Sequence, residues 1–122
     1  MPRLFFPSSG ARWLDRPAVI VALRRAAHRL RRERPDVEAV YLFGSLATGT
    51  ATPRSDADIL IVVRAPVRGD ARSLIDRIPD YLSFFRPIPV PVDVIPCPSG
   101  AVEQRPMLRR ARSEGIRLDV DE

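Results

Sequence analysis

Lysine is absent from this chain: all twenty basic side chains are arginine, and against fifteen acidic ones they leave a formal net charge of +5. A positive surface suits a polyanion such as a nucleotide or nucleic acid, or an acidic protein, and says nothing about fold. The missing lysine reads first as composition, because arginine outranks lysine only where bidentate phosphate or carboxylate contacts matter. Cysteine is nearly absent too. Cys97 has no second cysteine to pair with and no nearby cysteine or histidine to share a zinc ion, as expected in a reducing compartment. No apolar run reaches the roughly 18 residues of a membrane span, and the opening MPRLFFPSSGARWL lacks a signal-peptide core, so a cytoplasmic protein without a membrane partner is expected. Aromatics are few. Tyr41 and Phe43 lie in an apolar run, with no basic platform interleaved with aromatics, so nucleic acid is not expected as the primary ligand. His28, the single histidine, sits in an arginine-rich stretch and is assigned no role.

A chain of 122 residues supports one core of modest size, and residues 1–122 are read as a single domain with 1–15 as an N-terminal arm. Asp15 and Pro17 signal a helix start, and Val19, Ile20, Leu23, Ala27 and Leu30 fall on one face until Pro35, giving a helix over 16–34. The opposite face carries Arg24, Arg25, His28, Arg31 and Arg32, read as solvated or as facing an anion. Ala39–Phe43 and Ile59–Val63 are short apolar runs rich in β-branched residues, as buried strands are. A second helix is predicted from Asp70, with Leu74, Ile75, Ile78 and Leu82 on one side and Pro79 kinking or ending it. Val90–Ile95 reads as an edge strand because of Pro87, Pro89 and Pro91. A final helix over Arg105–Ser113 would stop at Gly115, and the acidic end from Asp119 reads as a solvated tail. Trp13, Phe84 and Phe85 are candidates for packing or for a partner patch. The order of elements is that of an α/β fold.

The chemistry lies in YLFGSLATGTATPRSDADILIVV, residues 41–63. Asp56 and Asp58 are two apart at the mouth of a strand, so their carboxylates point to one face about 6 to 7 Å apart. Acidic groups beside so apolar a run are costly without a cation. Magnesium suits them, because it takes one or two carboxylates and leaves the rest of its shell to substrate phosphates. Two such ions can flank an in-line displacement at phosphorus. Gly44 and Ser45 close the preceding strand, with ten residues between them and Asp56, where a glycine lets backbone approach phosphate and a serine adds a hydroxyl and an N–H. Asp93, between Val92 and Val94 on the third strand, is either a third site carboxylate or an edge charge turned to water.

Gly44-Ser45, the ten-residue gap, Asp56-Ala57-Asp58 and the later Asp93 closely resemble the minimal nucleotidyltransferases of the DNA polymerase beta-like superfamily. The resemblance covers about Val37 to Ile95. It implies a small mixed β-sheet with helices packed on it, binding Mg²⁺ and ATP, with Asp56, Asp58 and Asp93 as metal ligands and Asp93 also as base. Gly44 and Ser45 would hold the triphosphate. Many stand-alone members are antitoxins that attach AMP to a HEPN ribonuclease toxin, which would make such a toxin the partner. An antitoxin acting only by occlusion is the alternative, and 122 residues leave little room for a small-molecule acceptor pocket. The chain departs from the family at Thr48, where members often carry a basic residue; Arg54 is the candidate substitute and is added to the nucleotide-binding set.

Overall fold

The computed structural model describes residues 15–49, 56–64, 74–88 and 90–120. Helix α1 spans Arg16–Glu33, and the Asp15 carboxylate caps it by accepting from the Ala18 amide at 3.1 Å. Strand β1 (Val37–Phe43) leads through Gly44 into one helical turn, α2 (Ser45–Thr48), and strand β2 covers Ala57–Val63. Helix α3 (Ile78–Ser83), strand β3 (Val92–Pro98), a 3-10 turn (Ser99–Gln104), helix α4 (Pro106–Glu114) and strand β4 (Ile116–Arg117) complete the order.

The sheet runs β3-β2-β1-β4 and is mixed: β1 is antiparallel to β2 and β4, while β2 is parallel to β3. The prolines place β3 at an edge, as the sequence predicts, because a ladder position there can forgo its donor. A register shift between Val37 and Ala39 adds one residue to the alternation. Val37, Val40 and Leu42 therefore share a face with Ile59 and Ile61, packed on Val19, Leu23 and Leu30 of α1 and on Tyr81, Phe84 and Phe85. Ala39, Leu60, Val62 and Cys97 pack on the other face against Val102, Leu108 and Ala111. Both faces of β2 are covered, which is why its run is apolar without alternation.

Some expectations hold and others change. The helical stretch holding Leu74 and Ile75 ends before Pro79, as expected, and Pro79 sits in the first turn of a new helix, α3, where its missing N–H costs nothing. Ile75 is 59% exposed and stands apart from the apolar row assigned to it. Phe84 and Phe85 are buried and belong to the core. Gly115 ends α4 with φ −80, not in the left-handed cap conformation; its role is space, since a Cβ there would run into the carbonyl oxygens of Ala111 and Leu42. Cys97 is buried, and burial pushes its thiol up, as befits a quiet core cysteine.

The acidic end is not a solvated tail at Asp119. Its carboxylate is buried, and it accepts from the Val40 amide at 2.9 Å, from Arg31 Nη1 at 2.8 Å and from Arg117 Nε at 3.1 Å. Arg24 donates to the carbonyls of Arg117 and Val120, both at 3.0 Å. The arginine face of α1 thus clasps the C-terminal segment to the sheet instead of facing only water. On the far side of α1, Arg34 grips Asp80 through two hydrogen bonds of 2.6 and 2.7 Å and lies 5.1 Å over the Phe84 ring, joining α1 to α3.

Candidate active site

Strand register assembles the acidic site. Phe43 on β1 pairs with Asp58 on β2, and Asp58 pairs with Asp93 on β3. Neighbouring strands lie about 4.8 Å apart, so Asp58 stands in the middle of a row running from the end of β1 to the edge of the sheet. Asp58 alternates with Leu60 and Val62, and Phe43 with Tyr41 and Ala39, so the row opens on the face covered by α4. Asp56, one residue before β2, is exposed, as is Asp93; Asp58 is half-buried.

Electrostatics mark Asp58 as the strained member. Burial, then the charge of Asp93 and then that of Asp56, push its carboxyl above the usual range. A cation between these groups relieves that repulsion. Among the described residues no three metal-ligating side chains are gathered into a closed centre. The donor set nonetheless fits magnesium, because an adjacent pair of carboxylates suffices when phosphate oxygens and water fill the remaining positions.

Gly44 adopts φ +78 at the start of α2, a conformation that side-chain-bearing residues rarely take. A Cβ at this position would also run into Oδ2 of Asp58. The glycine is therefore required twice, once by the turn and once by the carboxylate seated against it. The amide of Thr48 donates to Gly44 O at 3.2 Å and that of Gly49 to Ser45 O at 3.0 Å, which closes the turn. The first N–H groups of such a turn have no partner within it, an arrangement that suits an anion.

One site residue escapes the sequence reading. Arg16, the first residue of α1, donates from Nε to Leu46 O at 2.8 Å and from Nη2 to Ala47 O at 3.0 Å. It pins α2 by its carbonyl end from 30 residues away in sequence, and no local pattern announces the contact. Thr48 turns back on its own helix, its hydroxyl donating to Ser45 O at 3.3 Å. Arg54, its proposed substitute, lies outside the described residues, as do Trp13, the proposed arm up to residue 14 and the start of the predicted second helix at Asp70.

The fold agrees with what the chain resembles. Residues 23–118 match the nucleotidyltransferase domain family, and the chain belongs to it. Its fold is similar to the crystal structure of a proposed nucleotidyltransferase from Sulfolobus solfataricus, with a TM-score of 0.61 at 22% identity, covering 84% of this chain and 80% of that one. It is also similar to a structure of a toxin-antitoxin with AMP-PNP, with a TM-score of 0.50 at 21% identity, covering 86% and 73%. No curated protein matches the sequence. The mixed sheet expected from the resemblance is the sheet observed. Among the described residues no helix is long and apolar enough to cross a membrane.

Proposed function

We propose that this single domain is a magnesium-dependent nucleotidyltransferase that moves AMP from ATP to a hydroxyl of a partner protein, acting as the antitoxin of a HEPN-type toxin. The observation that carries this reading is the register Phe43–Asp58–Asp93, which sets Asp58 between a second carboxylate and the backbone turn at Gly44. The likeness to a toxin-antitoxin structure holding AMP-PNP supports the nucleotide and the protein partner.

In this reading Asp56, Asp58 and Asp93 would hold the metal, as one ion or two, with phosphate oxygens and water completing its shell. Magnesium, when bound, neutralises phosphate charge and lowers the barrier to displacement at the α-phosphorus. Gly44 and Ser45 offer backbone N–H groups, with the Ser45 hydroxyl, to the polyphosphate. Asp93, exposed on the edge strand, is open to an incoming acceptor and takes the proton from its hydroxyl. The acceptor oxygen bonds to the α-phosphorus, the bond to the bridging oxygen breaks, and pyrophosphate leaves with the electron pair. Arg54 is assigned to the departing phosphates. Positioning supplies most of the rate, since both reactants are held before charge moves.

The test is a label at the α-phosphate of ATP, added with Mg²⁺ and the purified protein to lysate of its own host, beside Asp56→Asn. A labelled protein band with wild type alone supports the reading, and its size identifies the acceptor. If no Asp56-dependent band forms while the partner still co-purifies, the protein is an antitoxin that acts by occlusion.

A further inference from the structure

Beside the acidic row lies a cavity of about 360 Å³ between α2 and α4, and none of the steps above uses it. Its walls include Phe43, Ala47, Met107 and Ala111, with Glu114 among its charged lining. Gly44 lines it too, and Gly44 is the residue against which Asp58 is seated. Phe43 is the register partner of Asp58. Along this end of the sheet the order is therefore cavity wall, Asp58, Asp93, all on the face covered by α4.

We propose that this cavity holds the base of the nucleotide, with the polyphosphate running from Gly44 across Asp58; the proposal rests on the nucleotidyltransferase reading above. The physical grounds are size, lining and continuity. A volume of this order is that of small-ligand sites, which combine mostly apolar walls with a few polar groups. A base offers two flat apolar faces to such walls and an edge that hydrogen-bonds. Met107 is 58% exposed, an unbranched and polarisable side chain suited to lie against a ring. Glu114 is exposed at the cavity's rim, its Oε2 accepting from Arg110 Nε at 3.1 Å. A carboxylate can only accept, so it favours a base whose edge presents an amino group.

The test compares Mg²⁺-dependent binding of ATP with that of tripolyphosphate, which has the same charged chain and no base, by titration calorimetry. Wild type is expected to bind ATP more tightly. Met107→Ala removes one exposed wall and Ala47→Leu fills the space; because Ala47 also packs against the core, the melting temperature of each variant is measured beside its binding. Each is expected to weaken ATP about tenfold, the scale of one lost base contact, and to leave tripolyphosphate unchanged. If both variants keep the wild-type preference for ATP, the base lies elsewhere and the proposal is wrong. Equal wild-type affinity for the two ligands overturns it as well. If neither ligand binds wild type, the nucleotidyltransferase reading itself fails and takes the base site with it, a result distinct from the other two.

Discussion

Asp58 Oδ2 occupies the space that a side chain at Gly44 would need. The Gly44 turn and the Asp58 carboxylate are thus one packed unit, held together by the β1–β2 register. Gly44→Ala is expected to cost about 1 to 3 kcal/mol, from a positive φ and a displaced carboxylate together. Thermal melting measures the cost, and ATP binding should fall with it. A variant that melts like wild type and binds normally contradicts the packing described.

Asp58 is held under repulsion, so removing its charge is expected to help the ligand-free fold. Asp58→Asn should melt at or above the wild-type temperature without metal, because burial and the charges of Asp93 and Asp56 all oppose its ionised form. Millimolar Mg²⁺ with nucleotide should raise the melting temperature of wild type and leave Asp58→Asn unmoved. A lower melting temperature for the ligand-free variant would show instead that the carboxylate is a structural acceptor.

Arg16 acts on the site only through α2. Arg16→Ala removes two hydrogen bonds to carbonyls and is expected to cost about 1 to 2 kcal/mol of stability. A positioning role also predicts a higher KM for ATP than the melting change explains, with Arg16→Lys recovering little, since one ammonium cannot span both carbonyls as the guanidinium fork does. Equal loss of stability with an unchanged KM would limit Arg16 to scaffolding.

Asp119 predicts an acid-sensitive clasp. Burial pushes its carboxyl up, but the hydrogen bonds from Arg117 and Val40 and the charge of Arg117 outweigh this and hold it below the usual value. A carboxyl lowered in the folded state stabilises the protein above its unfolded pKa of about 3.9, and that contribution is lost as pH falls through the lower folded value. Asp119→Ala is expected to cost about 3 kcal/mol at pH 7, leaving the buried Val40 amide without this acceptor. The gap from wild type should narrow below pH 4, as followed by denaturant unfolding. A gap that is constant with pH would mean that packing, not charge, makes the contact.

The parts of this molecule legible in the sequence are those with a local signal. Asp15 capping α1, the unalternating β2 and the prolines of β3 each state a backbone requirement within a few residues. Gly44-Ser45 and Asp56-Ala57-Asp58 are legible for the same reason, because each pair sits at one strand end and needs only the hairpin-like return of β1 to β2 to meet. What could not be read is long-range. Strand β4 is two residues long, and the Asp119–Arg31 contact joins positions 88 apart, so an acidic end that looks like solvated tail is a core clasp. Pro79 marks a break in the helix, but that a new helix begins with it cannot be told until the preceding turn is placed. Arg16 has no local pattern at all.

The account's central claim, that the Gly44 turn and the row of acids transfer a nucleotidyl group, is tested most directly by moving the label. Parallel reactions in host lysate carry ATP labelled at either the α- or the γ-phosphate, with wild type and Asp93→Asn. Protein-bound label from α alone, lost in Asp93→Asn, with γ label leaving as pyrophosphate, is the predicted result. Protein-bound γ label, or α label that persists without Asp93, would contradict it.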